Sequence, residues 1–256
     1  TITMNMLDDG IYFDSVVKAI AAAGAPALRK LRIGEFQHAG PGRIDNGYDY
    51  EISWSSLGDA RHLWRAVPRL EELRIQAGLG GTSTSGDADV IGTFDLRALR
   101  RLEVVTGGMG GACARSFATG KLPALQYAEL WFGSKDYGGT ATVADLEPLF
   151  TGRNVRELAH LGLMNAEITD ELVAALARSP LLRQLRTLNL AHGTLSDEGV
   201  RIVATHADAF KHLKVLDVSN NYVTSAGLDE LRRVCPITST EQRDTEDDDR
   251  YVALAE

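Results

Sequence analysis

A chain of 256 residues with 44% hydrophobic and 24% charged residues has the composition of a folded protein with a sizeable core, not of a disordered one. Its net charge of −8 sets it against phosphate backbones, and so against nucleic acid as a partner. No run of 18 or more apolar residues is present to span a membrane, and the opening TITMNMLDDG has neither the basic nor the apolar stretch of a secretory signal.

The first residue is Thr1, which points to a chain that begins inside a longer or processed one. Cys113 and Cys235 stand far apart with no CxxC pairing. That argues for a reducing, cytoplasmic setting and against a disulfide framework or a zinc site. The charge is uneven: residues 241–250 hold six acidic and two basic side chains, so half of the net charge lies in ten residues.

In chain order, residues 11–24 place Val16, Val17 and Ile20 on one face and end at Gly24 and Pro26, which predicts a helix. The next segment carries Leu28, Leu31 and Ile33. A Gly-rich insertion at 35–53 follows, then a helix expected over about 55–67, then Leu70, Leu73 and Ile75. A second loose stretch at 78–92 precedes Leu99, Leu102 and Val104. Four more sets follow: Leu125, Ala128 and Leu130; Leu158, Leu161 and Leu163; Leu185, Leu188 and Leu190; Leu213, Leu216 and Val218.

The last two sets repeat L-x-x-L-x-[LV]-x-x-[GN]-x-[LV] at a spacing of 28 residues, the period of a strand followed by a helix. Thr169, Ser196 and Thr224 stand where helix N-caps belong, with acidic residues beside the first two to suit the helix dipole. Seven repeats over 1–236 are enough to stack a continuous core. The acidic tail at 237–256 is expected to be a solvated linker, its residues 250–254 docking as a capping strand on the open end.

The LxxLxLxxN pattern with one helix per repeat resembles the ribonuclease-inhibitor-like class of leucine-rich-repeat proteins over about residues 11–236. Within that class, the segment Glu129-Leu130-Trp131-Phe132-Gly133-Ser134-Lys135-Asp136-Tyr137-Gly138-Gly139 is similar to one found in a group of bacterial repeat proteins. The resemblance implies an α/β solenoid, a horseshoe with a parallel sheet on its concave face and helices on its convex face, and it implies no reaction. Ala128, in place of an anchor leucine, and the insertions depart from the pattern.

Side chains alternate along a strand, so residues between the anchors face outward on the concave sheet. Arg32, Glu72, Arg74, Arg101 and Glu103 form a charged strip there. Tyr127, Glu129, Trp131, His160 and Met164 form an aromatic centre, and Thr187, Asn189, Val215 and Asp217 a small polar end. Exposed Tyr, Trp and Met beside Arg is the composition of a protein-binding surface. The competing expectation is that the loop 135–142 folds over them. Asp136 and Tyr137, in a turn closed by two glycines, stand at the binding edge or in a purely structural turn.

Chemistry finds little support. GGMGG at 107–111 and GLGG at 78–81 complete neither a P-loop nor a G-x-G-x-x-G fingerprint, and Ser15-x-x-Lys18 has no partner motif. The six histidines show no ligand spacing, and the acids at 246–249 lack a calcium-loop pattern. The sequence thus predicts a non-catalytic scaffold that binds a protein or peptide on its concave face, with no cofactor and no metal. An accessory subunit that recruits substrate for an enzyme encoded nearby is the alternative, and a catalyst built in the two insertions a third.

Overall fold

The computed structural model describes residues 1–4, 13–34, 52, 55–79, 87–245 and 249–253. Nine strands form one sheet in sequence order: β1 (Ile2–Met4), β2 (Lys30–Ile33), β3 (Glu72–Gln76), β4 (Arg101–Val105), β5 (Tyr127–Gly133), β6 (His160–Ala166), β7 (Thr187–Asn189), β8 (Val215–Asp217) and β9 (Ile237–Thr238). Every neighbouring pair is parallel. Between them run α1 (Asp14–Ala23), α2 (Leu63–Ala66), α3 (Gly111–Thr119), α4 (Val143–Phe150), α5 (Thr169–Ala177), α6 (Asp197–Thr205), α7 (Ala207–Phe210) and α8 (Ser225–Val234).

The register follows the leucine pattern. Leu31, Leu73, Leu102, Ala128, Leu161, Leu188 and Leu216 pair one after another across the sheet, so the anchor row is unbroken even where alanine replaces leucine. All of the anchors are buried in one continuous core. Alternation does the sorting: β2 reads exposed, buried, exposed, buried. A one-residue slip would turn the charged row inward, so burial fixes the pairing.

The turns leaving the later strands are held by buried polar groups. Asn221 is 0% exposed and donates through Nδ2 to the carbonyls of Leu190, Val218 and Ser219, while its Oδ1 accepts from Leu195 N at 2.8 Å. One repeat earlier Gly193 stands at that place, and the Thr169 hydroxyl accepts from Thr194 N at 3.1 Å instead. Asp170 and Asp197 tie successive helix starts together by accepting from the backbone N–H and hydroxyl of Ser196 and Thr224.

Four expectations need correction. A strand, β1, precedes the first helix and extends the sheet. The helix expected over about 55–67 shrinks to the single turn of α2, because Gly58 turns the chain at φ 71° and Asp59 folds back to accept from Arg61 N. Thr169 lies within α5 rather than capping it, whereas Ser196 and Thr224 do cap α6 and α8. Residues 250–253 add no strand to the sheet; β9 extends it beyond β8 immediately after Pro236. The tail then runs back over the turns: Gln242 Nε2 donates to Val218 O, Arg243 to Gly193 O and Asn220 O, and Arg250 to Thr194 O. Basic side chains here meet carbonyls that would otherwise face solvent at the end of the solenoid. The acidic residues 246–248 lie outside the described residues, as do 35–51, 53–54 and 80–86 of the two insertions.

Candidate functional site

The parallel register converts the outward residues into rows. One row reads Lys30, Glu72, Arg101, Tyr127, His160, Thr187, Val215 across β2 to β8. The next reads Arg32, Arg74, Glu103, Glu129, Gly162, Asn189, Asp217. Above them Gln76, Val105, Trp131 and Met164 lie on β3 to β6.

The first row is a chain of contacts. Lys30 pairs with Glu72 at 2.7 Å. The Arg101 guanidinium lies 3.6 Å from the centre of the Tyr127 ring, which stacks on His160 at 4.1 Å with only 7° between planes. Adjacent strands lie about 4.8 Å apart, so rings stacked across them stand on edge over the sheet. His160 Nδ1 meets the Thr187 hydroxyl at 2.7 Å and its Nε2 meets Glu129 Oε1 at 3.2 Å.

Glu129 is the hub. It also accepts from Tyr127 and Asn189, and it lies over Gly162, where a Cβ would come within 2.7 Å of its Cγ. Burial works against its ionisation, but the hydrogen bonds from His160 and Tyr127 outweigh it and hold the carboxyl below its ordinary value of 4.5. Burial, then the bond to Glu129, pushes the Tyr127 phenol well up, so it stays a donor. On the charged side Arg74 reaches Glu103 at 3.3 Å and Gln76 at 3.3 Å, and Arg101 Nε donates to Glu103 at 2.6 Å. Desolvation opposes the Arg101 charge, and Glu103 more than restores it.

Trp131 is half-buried and stacks on His192, 5.2 Å between centroids. Burial keeps His192 below its ordinary value, only partly offset by Asp217, so a neutral imidazole faces the indole. His192 was not among the expected site residues. It occupies the left-handed turn position (φ 67°) that Asn165 and Asn220 hold in the flanking repeats, and the odd residue at that place was the available signal. Met164 must be withdrawn as an exposed contact. It is 6% exposed, with Asn189 Nδ2 directed at its sulfur at 3.2 Å. Arg32 is exposed on β2.

The loop after β5 turns away toward the start of α3. Ser134 Oγ accepts from Asp136 N, Gly138 takes φ 88°, and Ala141 N donates to Met109 O at 3.0 Å. Asp136 is exposed and Tyr137 half-buried in this turn. The glycine-rich 107–111 segment ends at the start of α3, where Asp87 already accepts the Ala112 N–H that a phosphate would need. Burial pushes the Cys113 and Cys235 thiols up to about 11, which makes both poor nucleophiles. His206 and His212 each bond a backbone carbonyl. Among the described residues no three His, Cys, Asp or Glu side chains gather as a metal site, and no helix is long and apolar enough to cross a membrane.

Comparison with known proteins agrees with this geometry. Residues 182–202 and 211–231 match the family model described as Leucine Rich repeat. A crystal structure of a Bacteroides fragilis protein superimposes with TM-score 0.79 at 24% identity, covering 100% of this chain and 68% of that one. An internalin from Listeria monocytogenes aligns loosely, with TM-score 0.38 and 13% identity over 88% of this chain and 64% of its own. No curated protein matches. The fold is a leucine-rich-repeat solenoid, and the Bacteroides fragilis protein shares it.

Proposed function

We propose that the chain is a non-catalytic interaction scaffold that holds a protein or peptide against its concave face. The observation that carries this reading is the Arg101–Tyr127–His160 stack, braced by Glu129 and Thr187. Its polar atoms are bonded to one another, so the rings are fixed before any partner arrives and little rotamer entropy remains to be lost on binding. Aromatic and arginine side chains held this way are the residues that dominate protein interfaces. Arg32, Glu72, Arg74 and Glu103 extend the surface on one side and Trp131 on the other; Asp136 and Tyr137 mark a separate edge.

The test compares captures from native lysate by wild type and by an Arg101→Ala/Tyr127→Ala variant with an unchanged fold by circular dichroism. The reading expects a protein retained by the wild type and lost by the variant. Identical captures would remove the concave stack from the binding surface.

A further inference from the structure

The convex surface carries an open groove of about 910 Å³ between α4 and α5, separate from the concave rows. Its neighbours α3/α4 and α5/α6 pack more closely than α4 does on α5. The middle anchors of β5 and β6 are 33 residues apart, against 27 for the next step.

The two walls have the same order of chemistry. Along α4 and past its end they read Val143, Glu147, Phe150, Arg153. Along α5 they read Ile168, Glu171, Ala174, Arg178. Glu171 and Arg178 are seven residues apart, about 10 Å along a helix. The groove therefore has an acidic pair toward the helix starts, an apolar floor, and a basic pair toward the helix ends. All four charged side chains are exposed, and none forms an ion pair among the described residues.

The arrangement fits one kind of occupant. We infer that this groove docks an amphipathic helix of a partner protein, running antiparallel to α4 and α5. Such a helix carries an acidic residue near its N-terminus, two apolar residues a turn later, and a basic residue about seven positions on. Its acid then faces Arg153 and Arg178, its base faces Glu147 and Glu171, and its apolar pair covers Phe150 and Ala174. The antiparallel direction suits its own dipole, with acid first and base last, and opposes the dipoles of the two walls. Four charges in two matched pairs give the direction; the floor gives the adhesion.

The probe is a fluorescein-labelled peptide of about 15 residues, built of Ala and Gln around E-x-x-L-L-x-x-K and followed by fluorescence anisotropy against the full chain. Saturable binding that weakens about tenfold in each of Glu171→Lys and Arg178→Glu, with the fold intact by circular dichroism, is expected. Replacing the peptide Lys with Glu, so that Glu stands at both ends, should weaken binding by a similar factor. No saturable binding, or binding indifferent to both variants, overturns the inference. So does a concentration-dependent dimer of the chain alone that Glu171→Lys abolishes, because a second copy would then be the occupant. The outcome is independent of the concave-face test, since neither variant touches β4, β5 or β6.

Discussion

On the concave face, Glu129 receives hydrogen bonds from His160, Tyr127 and Asn189, and Arg74 and Arg101 both reach Glu103. In the groove between α4 and α5, Glu147, Arg153, Glu171 and Arg178 stand exposed with no ion pair among the described residues. The same types of side chain thus do two jobs. Charges bonded to each other brace a surface and contribute to stability; exposed charges without an ion pair contribute little to the free protein and are available to a partner. Substitutions should therefore divide sharply: variants on the braced face cost stability, and variants in the groove do not.

The largest effect belongs to the buried turn that follows β8. Asn221→Ala removes an acceptor and the donor to three carbonyls in a fully buried turn, and should lower unfolding free energy by about 3 kcal/mol in urea titration. Glu129→Ala leaves the donors of His160, Tyr127 and Asn189 without their acceptor and should cost about 2 kcal/mol. A loss as small as that of a surface variant would show that the network braces nothing. Acid should act in the same direction. Glu129 has a folded value below its ordinary 4.5, so its contribution is fully present above that pH and is lost as pH falls through the folded value. Wild type should therefore lose more stability than Glu129→Gln between pH 6 and pH 3, read from melting curves. At the small end, Glu171→Gln and Arg178→Ala should each stay within about 0.5 kcal/mol of wild type. Neither cysteine should react with a thiol reagent at pH 8 until the chain unfolds, given thiols raised to about 11.

Much of this architecture could be read from spacing. The middle anchors, Ala128 among the leucines, fall on one register row because side-chain alternation and burial allow no other pairing. The outward rows followed from the same alternation, which is why Arg101, Tyr127, His160 and Trp131 could be placed on one face. Spacing does not say how deep a residue sits on that face, and Met164 was misjudged for that reason: its sulfur lies beneath Asn189. The short strands at the two ends also escaped. β1 and β9 have three and two residues, and they belong to the sheet by pairing with neighbours rather than by any pattern of their own. The groove was invisible for a different cause. It lies between two helices from different repeats, and no single helix carries that information.

Hydroxyl-radical footprinting of the captured complex by mass spectrometry measures directly where a partner sits. Loss of labelling at Tyr127 and Trp131 on complex formation is the predicted result. Unchanged labelling at both, with the protection falling elsewhere, would contradict the concave-face reading.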